Sequence, residues 1–271
     1  MLKIVLPLLS LLLFVSCTET SNKKNASNSQ DAVIATTITH ANGFTIKNYN
    51  GYKTITLTNP WPGAETTFTY ALVDEDGAVP EGTAYDAVVR VPLQSIVVTS
   101  TTHIPSLEML DVADKLVGFP NLKYISSAYT RDRISDGRVK ELGKNESINT
   151  EVLIDLEPDA VITFAVQGDN KTVATIQKTG IPVLYNADWT ETTPLGKAEW
   201  IKFFGALFNK EKEAEALFDQ IKRDYETTKK IAETATSSPT VMSGAMYKDV
   251  WYLPQGDSWA AQFIADANAH Y

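Results

Sequence analysis

Residues 139–164 read VKELGKNESINTEVLIDLEPDAVITF, and this stretch decides the fold. A polar loop leads to Asn149, a residue type that caps helix starts by accepting from their free N–H groups. Glu151 falls in the first turn of the helix so begun, and Val152, Leu153 and Leu156 give it an apolar side. Pro158 forbids continuation. Behind it, Ala160, Val161, Ile162, Thr163 and Phe164 make a nearly unbroken apolar, β-branched run, the pattern of a parallel strand covered on both faces.

Outward from this unit the same alternation repeats. Ser95–Ser100 (SIVVTS) and Lys115–Phe119 (KLVGF) predict strands upstream. Downstream, a helix over 172–178 closed by Gly180 leads into a strand at Ile181–Tyr185 (IPVLY). Strands and helices joined by short links predict an α/β fold with a parallel sheet flanked by helices. His103 follows the SIVVTS strand, at the carboxyl edge where ligands of open α/β sheets sit. The same place suits a histidine that helps cap the following helix. Residues 123–137 predict a loop over that edge, in which Tyr129 and Arg131 could grip carboxylates or catecholates, or form a solvated surface tied to Asp132 and Asp136. Trp189 falls just past the IPVLY strand, at the rim.

The flanks add a hairpin and two helices. Residues 43–73 alternate as β-structure around Asn50-Gly51, a strong hairpin signal, with Trp61 read as a packed hairpin end. Residues 194–208 carry Trp200, Phe203, Phe204 and Leu207 on one helical face. Residues 210–236 keep three-four apolar spacing, and a helix of that length would run ~40 Å.

Composition excludes several functions. The chain has 271 residues, 44% hydrophobic and 21% charged, with a formal charge of −9, so nucleic acid is not an expected partner. The histidines, at 40, 103 and 270, have no metal-ligand spacing, and no metal site is expected. No G-x-S-x-G elbow, P-loop or G-x-G-x-x-G occurs, so no enzyme activity and no cofactor are expected. Met1–Cys17 (MLKIVLPLLSLLLFVSC) has a Lys3 n-region and an apolar run too short to span a bilayer, ending in a small residue before Cys17, the only cysteine. Residues 18–37 are rich in Ser, Asn, Thr and Lys, the composition of a tether.

Several motifs together resemble one family. N-x-E at 149–151, followed by L-x-P-D-x-V at 156–161, is similar to the ABC-transporter solute-binding proteins that carry iron–siderophore complexes, haem or cobalamin. STTHIPSLEML at 100–110 resembles the family's S-x-S-H-x-x-x-L-E-x-L. Residues 251–258 resemble its W-x-x-P-G-x-S, with Gln255 in place of the common first glycine. Phe14–Cys17 resembles a lipobox, with Phe14 in place of the usual Leu, which implies diacylation of Cys17 and membrane attachment through lipid in the periplasm.

The resemblance implies a two-lobed periplasmic binding protein of the helical-backbone type. Residues 38–208 would form the hairpin and first lobe, 209–237 the inter-lobe helix and 238–271 the start of a second lobe. A full second lobe needs ~100 residues more, so the sequence is read as a shortened member with exposed apolar surface at Val241, Trp251 and Phe263. The ligand would be a chelated iron complex, haem or a corrinoid, needing no protein ligand cluster. Glu151 would dock the ABC permease, although on residues alone it complements the helix dipole. Asn145, Phe164, Trp189 and Trp251 would line the cleft with His103, Tyr129 and Arg131. Two other readings stand beside this one: a structural or adhesive surface lipoprotein, and a secreted α/β hydrolase built on Ser100 and His103.

Overall fold

The computed structural model describes residues 34–79, 81–168 and 170–271. Cys17, the signal sequence and most of the expected tether lie outside them. The first strand, β1 (Ile34–Thr36), falls in the stretch read as tether. Its backbone pairs antiparallel with β2 (Phe44–Tyr49), Ala35 opposite Lys47. The expected tether therefore overlaps a sheet edge by three residues, Ile34, Ala35 and Thr36, held there by backbone pairing.

Asn50 and Gly51 turn β2 into β3 (Tyr52–Leu57), with Gly51 at φ 80°, a conformation glycine adopts without a Cβ clash. β4 (Phe68–Val73) pairs antiparallel with β3. β5 (Ala87–Arg90) then lies parallel to β4, so the expected hairpin forms part of a five-stranded sheet. Period-two alternation buries Phe44 and Ile46 of β2 while Thr45 and Lys47 face out. The buried face meets an aromatic cluster, with Phe44 4.4 Å from Trp200 between ring centroids.

The second sheet is all parallel: β6 (Ile96–Val98), β7 (Leu116–Phe119), β8 (Lys140–Glu141), β11 (Ala160–Thr163) and β12 (Val183–Tyr185), in the order β12-β11-β6-β7-β8. Every residue of β6, β11 and β12 is buried, as two-sided coverage requires. The covering helices are α1 (His103–Met109), α2 (Ala128–Ser135), α3 (Thr150–Leu156), α4 (Lys171–Gln177), α5 (Pro194–Glu199) and α6 (Ile201–Leu207). Two-residue strands β9 (Gly143–Lys144) and β10 (Ser147–Ile148) form a tight ribbon before α3. The 123–137 segment is thus partly helical: Ser127 accepts from Thr130 N at 3.1 Å and starts α2, which has no long apolar stripe to announce it. The 194–208 helix is divided at Trp200.

Four sets of contacts tie the first sheet and the loops beside it to residues 191–211. The buried Lys53 ammonium donates to Asn209 Oδ1 at 2.7 Å and pairs with Glu211. Leu93 N donates to Leu207 O at 3.0 Å. The fully buried Glu199 carboxylate accepts from three consecutive amides: Thr39 at 3.0 Å, His40 at 2.6 Å and Ala41 at 2.8 Å. It also pairs with the buried Lys202 ammonium at 3.0 Å. Glu191 likewise accepts from Gly43 N and Trp200 Nε1.

After α6 the chain enters α7 (Glu211–Glu233), whose 23 residues make it ~35 Å long. Its buried residues, Ala214 and Phe218, lie in the first half. Beyond it, 239–244 is irregular apart from a Thr240–His270 bridge, and β13 (Ala245–Tyr247) pairs with β14 (Val250–Tyr252) in an isolated ribbon. Helix α8 (Trp259–Asp266) packs on α7, where Tyr225 donates to Asp266 at 2.6 Å. Trp251 and Phe263 are 42% and 45% exposed, while Val241 is half-buried. Among the described residues no helix is long and apolar enough to cross a membrane.

Candidate binding face

The carboxyl ends of parallel strands are where chain leaves a sheet with backbone groups free, so side chains there converge on a common edge. Here β6, β7 and β11 end side by side. Thr99, Ser100 and Thr101 follow β6, while Pro120 and Asn121 follow Phe119 at the end of β7. Phe164 follows β11, and Lys144, Asn145 and Glu146 arrive on the turn between β9 and β10. Together they line a depression of about 530 Å³, with Lys123 and Tyr124 completing its rim. Phe164 is half-buried and Tyr124 63% exposed, so the depression offers aromatic surface as well as hydroxyls and charge. Lys123 stands 5.0 Å from the Tyr124 ring centroid, a cation–π arrangement.

The turn is held in register by Asn145, whose Nδ2 donates to Thr99 O at 3.3 Å. Beneath the edge, Thr99 and Thr163 join hydroxyls at 2.9 Å in the buried sheet. Glu151 is exposed at the start of α3, where Asn149 Oδ1 accepts from Glu151 N at 3.1 Å and Val152 N at 3.2 Å.

The structure therefore brings Asn145 and Phe164 together on one edge. It does not bring the other five candidates there. His103 is fully buried, its ring 5.5 Å from Phe204, and neither ring nitrogen has a hydrogen-bond partner among the described residues. Burial pushes its pKa down to about 4, against the opposing pull of Asp188. The placement of His103 as a ligand contact is corrected accordingly: the first turn of α1 faces inward, so being next to the edge in sequence does not present the imidazole to it. The Ser100–His103 pairing that the hydrolase reading calls for is not made among the described residues: Ser100 Oγ pairs with Thr102 Oγ1 at 2.8 Å and the imidazole bonds to neither.

Tyr129 and Arg131 stand on α2, where Arg131 donates to Leu122 O at 3.0 Å, and neither lines the depression. Trp189 is half-buried in a 3-10 turn after β12, also off the depression. Trp251 sits in the β13–β14 ribbon with Nε1 3.3 Å from Ser243 O. Sequence reasoning passed over Lys144 and the Thr99 and Thr101 hydroxyls. Their signal was position alone, immediately past a strand or on the turn that carries Asn145.

Comparison with known proteins agrees with this architecture. The profile described as periplasmic binding protein matches residues 96–270, well over half of the chain. The chain belongs to the periplasmic binding protein family. An uncharacterized lipoprotein of Methanocaldococcus jannaschii is 26% identical over 187 residues, 65% of this chain and 44% of that protein. This periplasmic binding protein thus spans about half the length of the curated relatives it matches. Among solved structures, a possible iron-binding (periplasmic solute-binding) protein from Staphylococcus epidermidis aligns with TM-score 0.53 and 17% identity, covering 66% of this chain and 67% of that one. A periplasmic binding protein from Veillonella parvula aligns with TM-score 0.50 and 17% identity, covering 66% and 59%. Both likenesses concern the fold. The sheet of β1–β5 lies upstream of the segment the family profile matches.

Proposed function

We propose that this chain is the substrate-binding component of an ABC importer, attached to a membrane by lipid on Cys17. Its ligand is a metal chelate: an iron–siderophore complex, haem or a corrinoid. The observation that carries the reading is the depression of about 530 Å³ at the carboxyl ends of β6, β7 and β11, with Phe164 in its wall. A large, flat, partly charged ligand needs aromatic surface for its face and polar groups for its rim, and Phe164 and Tyr124 with Lys123, Lys144 and Glu146 are of those kinds. A chelate arrives with its metal already coordinated, so the protein recognises the ligand's outer surface. Exposed Glu151, held at the tip of α3 by the Asn149 cap, registers the lobe on cationic side chains of the permease.

The test is titration of the full chain with a ferric siderophore, haem and cobalamin. Saturable binding of one of them is expected, weakened about tenfold by Phe164→Ala, the equivalent of ~1.4 kcal/mol of aromatic contact. No saturable binding of any of the three would overturn the reading.

A further inference from the structure

The loop between β3 and β4 belongs to the N-terminal sheet, yet it ends beside the edge that carries the depression. Trp61, on this loop, is half-buried, with its ring 6.2 Å from Tyr185 of β12 and 6.1 Å from Phe68 of β4. It also lies directly against Gly168. A Cβ at Gly168 would come within 3.0 Å of Trp61 Cζ2 and within 3.6 and 3.7 Å of two further indole atoms. The absence of a side chain at Gly168 is what lets its backbone sit on the indole. Residues 164–168 leave β11 without helix or strand. Phe164, at their start, lines the depression, and Gly168, at their end, rests on Trp61. Val166 between them is 67% exposed. This short span is thus held at one end by the sheet and the buried Ala165 and at the other by the indole.

We propose that Trp61 is a positioning residue for the Phe164 wall. By seating Gly168 it sets the path of residues 164–168, and so sets the affinity of the depression for a flat aromatic or chelate ligand. The proposal rests on the reading of that depression as the ligand site. It gives the upstream sheet a role in recognition that a purely structural appendage would not have.

The experiment uses the full chain and variants Trp61→Ala, Trp61→Phe, Gly168→Ala, Phe164→Ala and the Trp61→Ala/Gly168→Ala double. Limited proteolysis needs no ligand: Trp61→Ala should speed cleavage within 164–168 by about tenfold or more while leaving α3 uncut, and Trp61→Phe should restore most of the resistance. Titration with the ligand panel should show Gly168→Ala weakening binding about fivefold in the parent and adding little in the Trp61→Ala background, because the two changes act on one contact. Should Trp61→Ala fail to fold, Trp61→Phe and Gly168→Ala still report. Unchanged cleavage at 164–168 in folded Trp61→Ala overturns the proposal whatever the ligand. If Phe164→Ala loses binding and Trp61→Ala does not, the role of Trp61 falls and the site stands. If Phe164→Ala binds like the parent, the site reading falls and takes the proposal with it.

Discussion

His103 shows how far a residue's neighbours in sequence can mislead about its depth. The reading STTHIPSLEML put it correctly at the start of a helix after a strand, but one strand end offers both an edge and a core. Period and capping name the element; which side of it faces inward depends on what packs there, and here that is Phe204 from a helix 100 residues on. Burial leaves the imidazole neutral, with a pKa near 4 against an ordinary 6.5. The unfolded chain therefore binds more protons than the folded one between those values. Stability is complete above about pH 6.5 and declines as pH falls toward 4, by on the order of 3 kcal/mol at ~1.4 kcal/mol per pKa unit. The charged and titratable neighbour opposing the loss is Asp188. His103→Phe should flatten the urea midpoint measured across that window, and a midpoint falling as steeply as in the parent would contradict this account. Phe164, by contrast, was legible in its place, because it directly follows a strand too apolar to lie anywhere but mid-sheet.

Among the elements, the parallel strands β6, β7, β11 and β12 were readable because each is a mainly apolar run that local sequence specifies, whereas β8, Lys140–Glu141, is charged and joins the sheet only by pairing with β7. The unit of α3 and β11 was readable to within one residue, Thr163 ending the strand where Phe164 was expected to, since its cap, its proline and its strand are all local signals. Asn149→Ala should cost about 1 kcal/mol in equilibrium unfolding, whereas Asn149→Asp should be near neutral, its carboxylate capping and facing the positive helix end. Equal losses from both would mean that the cap hydrogen bonds contribute nothing. What stayed hidden was non-local. β5 is short and only its parallel pairing to β4, fixed by a long excursion, makes it a sheet member. α2 is polar on nearly every side, so periodicity gives it no voice, and its Ser127 cap and the buried Arg133 donating to Leu116 O at 3.0 Å hold it instead.

At the scale of the molecule, two sheets with different strand polarity are stitched by carboxylates. Burial pushes the Glu199 carboxyl up, but the amides of Ala41, Thr39 and His40 and the Lys202 ammonium outweigh it and hold the group below the usual carboxylate range. Its contribution is present above the unfolded carboxylate's ~4.3 and is lost as pH falls through the lower folded value. Glu199→Gln, which sets an amide donor against three N–H donors and leaves Lys202 to Glu215 and Thr37 O, should cost about 2 kcal/mol at pH 7. The loss should shrink in acid, and a cost independent of pH would assign it to packing. No local pattern announces these stitches, for they join residues separated by 158 to 160 positions. That separation bears on assembly. Strands β1–β5 leave a ribosome first, with Phe44, Ile46, Ile55 and Leu57 aligned on one face, but Trp200 and Phe203, which cover them, follow some 150 residues later. At about 5–20 residues per second the uncovered face waits for on the order of ten seconds. The nascent sheet must be kept from other chains for that interval, so the last contacts to form between the two sheets are also those that end its exposure.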